Sequence, residues 1–246
     1  MQNQKSQNVW KYIFFTALGI FVLGVVILCF YFVDMYSNKP EQTNKISSKV
    51  VLKDNPIDFD ELQKQNTDIY AWIKIPNTRI DYPILQSAED DAFYLNHNAD
   101  KEYTRYGAIY TEMKNKTDFT DPNTVVYGHN MRNGTMFRDL HKFREAEFFS
   151  QNKYIYVYTR GHILTYEICA AYRYDNRHIL NSFNFSDPKI FAEYIEFVKN
   201  PKSIIVQKRE VEMDTNSKIL TLSTCISNDN YRYLVQGVLV KDEATK

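Results

Sequence analysis

The residues that most restrict the fold are a series of short segments rich in β-branched and aromatic side chains, each closed off by turn residues. They read "AWIKIPNTRIDYPIL", "GAIYTE", "NTVVYGH", "KYIYVYT", "HILTYEICAAYRY", "KILTLSTC" and "RYLVQGVLV". Side chains of this kind fit a pleated, half-buried surface better than a helix. In "KYIYVYT", Tyr154, Tyr156 and Tyr158 alternate with Ile155 and Val157, the period of a strand whose two faces differ. Pro76 and Asn77 divide the first segment into two strands around a turn. Six to eight strands with few helices between them predict a mostly antiparallel barrel or sandwich.

Two helices are expected beside the strands. A short one falls within "IDFDELQKQNTDIYAWI", ahead of the first strand. The other is "NFSDPKIFAEYIEFVKN", Asn184 to Asn200, with Ser186 as N-cap, Pro188 in the first turn, and Phe191, Tyr194, Ile195 and Val198 on one face. That face predicts either a helix that covers the sheet or one wall of a binding groove.

The N-terminal region has a different character. Tyr12 to Val33 carries no charge, and roughly 22 helical residues reach about 33 Å, the thickness of a bilayer's hydrocarbon core. The span is long for a signal peptide, and no small-x-small cleavage pattern follows it. Lys5 and Lys11 precede it and Asp34 follows it, which favours a cytoplasmic N-terminus. The expected organisation is a cytoplasmic tail over residues 1–11, a transmembrane signal anchor over 12–33, a polar extracellular tether over 34–55, and a folded domain over 56–246.

Charge and motifs narrow the function. The chain of 246 residues has 30 basic and 30 acidic side chains, so nothing draws it generally to nucleic acid. It contains no G-x-G-x-x-G or phosphate-loop motif, no H-E-x-x-H and no C-x-x-C, so no cofactor and no metal are expected. Of the three cysteines, Cys29 lies in the apolar span, and Cys169, mid-strand in "YEICAAY", reads as a small buried hydrophobe. Cys225 is left at a strand end with no evident disulfide partner, either a nucleophile or a structural thiol.

A nucleophilic cysteine needs a base or a cation nearby, because the thiolate is the attacking species. His129 follows an apolar strand and Gly128 and opens a loop, the kind of position at which scaffolds present reactive groups. His97 in "YLNHNAD" is the alternative, while His141 and His162 read as solvated surface.

"TLSTC" at Thr221 to Cys225, Arg232 at the start of the next strand, and "VVYGHNMRNGTMFRDLHKF" together resemble the signature of the sortases, cysteine transpeptidases of Gram-positive cell surfaces. The family pattern is T-L-x-T-C, an arginine on the following strand, and a histidine after a strand ending in G-H. "ILQSAEDDAFYLNHN" resembles the segment before the family's histidine, and the likeness runs over about residues 57 to 241, closest to class B. Arg232 follows Cys225 by seven positions, a shorter interval than in many class B members.

The resemblance implies a closed or partly closed antiparallel β-barrel of about eight strands with an N-terminal helix and one helix inserted between late strands. It also implies a mechanism. Cys225 attacks a backbone carbonyl of an exported protein's C-terminal sorting motif, usually after threonine, to give a thioester. His129 moves the proton, and Arg232 holds the peptide and the oxyanion, assisted by the Ile226 N–H. Ser223 and Leu95 line the groove, with the inserted helix as one wall. The acceptor is an amino group of a peptidoglycan precursor or cross-bridge, or a pilin lysine. Two other functions use the same features: a tethered cysteine endopeptidase that releases its thioester to water, and a non-enzymatic surface β-domain in which Cys225 is structural.

Overall fold

The computed structural model describes residues 22–30, 53–226 and 230–246. Residues 22–30 are helical and exposed. The rest of the expected anchor, residues 12–21 and 31–33, lies outside the described residues, as do the tail over 1–11 and most of the tether. Among the described residues no helix is long and apolar enough to cross a membrane.

Leu52–Lys246 forms one compact unit. It opens with helix α1 (Phe59–Gln65), which Asp58 caps by accepting the Glu61 N–H at 3.0 Å and which buries Phe59. The strands follow: β1 (Ile69–Lys74), β2 (Asp81–Leu85), β3 (Ile109–Tyr110), β4 (Asn123–Tyr127), β5 (Tyr154–Thr159), β6 (His162–Asp175), β7 (Val206–Lys208), β8 (Ile219–Cys225) and β9 (Tyr231–Ala244). Their order is β5-β1-β2-β3-β4-β8-β9-β6-β7, and pairing of β5 with β6 closes the first eight into a barrel, leaving β7 attached to β6. The barrel departs from the expected antiparallel pattern at two places, since β2–β3 and β4–β8 are parallel. Parallel neighbours need a long crossover, and the chain between β4 and β8 supplies it.

Both faces of the central strands are buried, so β8 and β9 bury Thr221, Ser223, Thr224 and Gln236 along with their apolar residues. Val126, Leu222, Tyr233 and Val235 join the interior cluster with Ile73, Phe137 and Phe143. Their chain neighbours Val125 and Leu234, with Val238, instead cluster with Phe191, Tyr194, Ile195 and Val198 of the inserted helix.

That helix, α4, spans Pro188–Lys199. Its cap is Asp187, which accepts from the Lys189 N–H, rather than the expected Ser186. With Pro188 occupying the first helical position, the capping oxygen has to come from the residue just before it. Tyr194 reaches through the outer cluster into a buried network, where its hydroxyl accepts from Gln236 at 2.9 Å and Gln236 also donates to Thr221 at 2.8 Å. Two further short helices, α2 (Ala146–Gln151) and α3 (Ile179–Ser182), and 3₁₀ segments over Phe93–Leu95 and Phe137–Arg144 complete the unit.

Candidate active site

Strand register brings the candidate residues together. In the β8–β9 hairpin Cys225 lies directly opposite Arg232, so the seven-residue interval is what seats the two side by side on adjacent strands. On the other side of β8, parallel pairing sets Tyr127 beside Ser223, and the Gly128 N–H continues the ladder by donating to the Ser223 carbonyl at 3.1 Å. His129 and Cys225 therefore emerge from the same end of neighbouring strands, which run about 4.8 Å apart.

The three residues share one cavity of about 240 Å³, also lined by Leu95, Tyr127, Tyr174, His178 and Ser223. Cys225, His129 and Arg232 are each half-buried. His129 is fixed by its Nε2–H, which donates to the Leu95 carbonyl at 2.7 Å and so leaves Nδ1 as the ring nitrogen open to proton transfer. Leu95 thus contributes a main-chain acceptor as well as an exposed side chain in the wall.

Other expectations are redrawn. The Ile226 side chain does not line the cavity but packs on the interior cluster, and the Ile226 N–H makes a long contact of 3.5 Å to the Tyr231 carbonyl. No residue of α4 lines the cavity either. The wall is the segment from Tyr174 to Ile179, because the apolar face of α4 is used in covering the barrel. His97 stands outside the cavity, with Nδ1 bonded to the Phe93 carbonyl at 2.8 Å and its ring stacked on Phe93.

His141 is not surface. It is half-buried, with Nε2 at 3.1 Å from the Cys225 carbonyl and its ring 5.0 Å from that of Tyr233. Burial, with Arg144 and Arg138 nearby, pulls its pKa down to about 4, against a weaker upward effect of the Cys225 carbonyl. His162 is exposed, as expected, and meets Asp242 at 2.6 Å. Cys169 is buried, and burial pushes its thiol up to about 12, which keeps it protonated and unreactive.

Sequence reasoning passed over the aromatic side of the cavity. Burial raises the phenols of Tyr110, Tyr127 and Tyr174, so this side is neutral. The hydroxyls of Tyr127, Tyr174 and Thr224 are buried and have no hydrogen-bond partner among the described residues. Tyr127 carried a readable signal, since it sits two residues before His129 on the strand expected to present it.

Comparison with known proteins agrees with this geometry. The Sortase domain family model matches residues 73–240, and Sortase B of Listeria monocytogenes is 34% identical over 241 residues, 91% of this chain and 96% of its own length. The chain belongs to the sortase family. Among solved structures, Sortase B of Clostridium perfringens shares 35% identity with a TM-score of 0.67, covering 74% of this sortase and 99% of the other chain. A Streptococcus pyogenes class B sortase involved in pilus biogenesis shares 31% identity with a TM-score of 0.65, covering 74% and 98%. The sortase is thus a cysteine transpeptidase of the class B kind, which removes the non-enzymatic reading. Among its described residues no group of side chains is arranged to hold a metal ion.

Proposed function

We propose that this sortase is held in the membrane by residues 12–33 with its catalytic domain outside the cell, and that it cuts a C-terminal sorting motif of exported proteins and passes them to an amine. The observation that carries the reading is the convergence of Cys225, His129 and Arg232 on one cavity from three adjacent strands. The Cys225 thiol passes its proton to Nδ1 of His129, and the resulting thiolate attacks the scissile carbonyl carbon, forming the C–S bond as the π pair moves onto oxygen; the C–N bond breaks when that pair returns. Arg232 and the Ile226 N–H receive that oxyanion. His129, with Nε2 engaged by Leu95, delivers a proton from Nδ1 to the leaving amine and later removes one from the incoming amine. Ser223 and Leu95 border the bound peptide. The acceptor is an amino group of the cell wall or a pilin lysine; the Streptococcus pyogenes class B relative is involved in pilus biogenesis.

The test incubates the full-length chain with a peptide library carrying a central threonine, with and without hydroxylamine. An acyl adduct on Cys225, absent in Cys225→Ala and discharged as the peptide hydroxamate, is the expected result. Free acid despite excess hydroxylamine would make the chain a hydrolase, and cleavage by Cys225→Ala would refute the nucleophile. Protease shaving of intact protoplasts should release the catalytic domain; its protection would reverse the proposed topology.

A further inference from the structure

One half-buried imidazole of the domain, that of His141, takes no part in the acyl transfer. His141 projects from the 3₁₀ segment Phe137–Arg144, which is anchored by Phe137, Leu140 and Phe143 in the core. The segment is joined to the start of its loop, since the Phe137 N–H donates to the His129 carbonyl at 2.9 Å and Asn130 bridges to Met136. From this frame two side chains meet one acceptor, the Cys225 carbonyl: His141 Nε2 at 3.1 Å and Asn130 Nδ2 at 2.9 Å.

Their donor roles follow from chemistry. A carbonyl only accepts, so Nε2 of His141 carries the hydrogen. The Asn130 amide is oriented by Arg138, which donates to its Oδ1 at 3.0 Å. At neutral pH His141 is neutral, since its pKa is near 4, so its single proton is the one on Nε2. Satisfying a backbone carbonyl needs one donor, and Asn130 already provides it. The second donor comes with a buried Nδ1 that has no partner among the described residues, an arrangement that costs stability.

Building on the reading of Cys225 as nucleophile, we propose that His141 is a positioning residue: with Asn130 it clamps the Cys225–Ile226 peptide and so aims and strengthens the Ile226 N–H as an oxyanion donor. The peptide is planar, so fixing its C=O fixes the direction of its N–H. Hydrogen bonds accepted by the C=O polarise the unit and make the N–H a better donor. The bond that N–H already makes, to Tyr231, is long at 3.5 Å, which leaves it capacity for a stronger acceptor.

Two probes separate this role from packing, and neither depends on the sorting peptide. 4-Nitrophenyl acetate acetylates a thiolate through a tetrahedral oxyanion and expels 4-nitrophenolate. Iodoacetamide alkylates the same sulfur by displacing iodide, with no oxyanion. In the full-length chain His141→Phe should slow acetylation of Cys225 roughly tenfold and leave alkylation within about twofold. His141→Gln, which keeps an N–H at similar reach, should restore most of the acetylation. Asn130→Ala removes the other donor and carries the same test if His141→Phe does not fold. Acetylation by His141→Phe at the unsubstituted rate would overturn the clamp, and so would equal slowing of both reactions without rescue by His141→Gln. Failure of the unsubstituted chain to acetylate at Cys225 would sink the nucleophile assignment itself, and the clamp with it.

Discussion

Gly107 is the position where one methyl group should reach the catalytic histidine without touching it. Its φ is +56°, and a Cβ there would lie 2.5 Å from the Leu95 carbonyl oxygen and 2.6 Å from that of Tyr94. Gly107→Ala therefore carries two costs: about 1 kcal/mol for a left-handed alanine and about 1–3 kcal/mol for the overlap. Carbon contacts relax near 3.5 Å, so the Leu95 carbonyl must retreat by roughly 1 Å. That carbonyl holds His129 at 2.7 Å, and a misplacement of this size lowers turnover by up to about 100-fold. The melting temperature should fall by roughly 5–12 °C for a domain of this size. The check is hydroxamate formation from a cleaved library peptide, measured beside a thermal melt. Gly161→Ala is the control: its φ is +85° with nothing within 4 Å of the added carbon, so it bears the backbone cost alone and should turn over normally. A Gly107→Ala enzyme with unchanged turnover, or a Gly161→Ala enzyme equally impaired, would refute the route through Leu95.

Arg232→Lys keeps the charge opposite Cys225 but loses the planar fork, and turnover should drop by roughly tenfold or more; near-normal rates would move the oxyanion role elsewhere. Cys169→Ala deletes a buried sulfur that donates to the Gln236 carbonyl at 3.3 Å, so a loss of about 1–2 kcal/mol in chemical denaturation with unchanged acyl transfer is expected. His141 titrates near 6.5 when unfolded and near 4 when folded. Between those values the unfolded chain binds more protons, so stability is full above about 6.5 and is lost as pH falls toward 4. The ring is only part-buried, so the loss is about 1–2 kcal/mol after allowing for solvent screening. Denaturation across that window should show this slope in the unsubstituted chain and lack it in His141→Gln.

The strands were legible because their faces were. Ile155 and Val157 are buried while the intervening tyrosines are not, as the alternation in "KYIYVYT" requires. The four buried positions of α4 were equally plain, because they recur at helical spacing. The two parallel pairings were not, since a strand's composition does not record which neighbour it meets or in which direction. Strand β7, three residues long, and α3, four residues long, are too short to show a period. At the site, the chemistry-bearing Cys225, His129 and Arg232 stood out by residue type and position. His141 was hidden for the opposite reason: "RDLHKF" has the charge of a solvated helix, and its ring is directed at a main-chain carbonyl contributed by a strand far along the chain. Backbone acceptors leave no mark in a sequence, so neither the clamp on Cys225 nor the grip of Leu95 on His129 could be read there.

The strand order also fixes when reactivity can arise. Strand β9, the last strand of the domain in chain order, lies between β8 and β6, and β8 in turn is the parallel neighbour of β4 from the first half of the domain. Such distant pairings form late, because the intervening chain must be closed into a loop before they give any return. A chain that stops short of Arg232 has His129 but neither its strand-mate β8 in a finished sheet nor the cation opposite Cys225. Nascent, truncated or partly unfolded copies therefore lack the assembled site, which comes into being only when β9 pairs with β8 and sets Arg232 opposite Cys225.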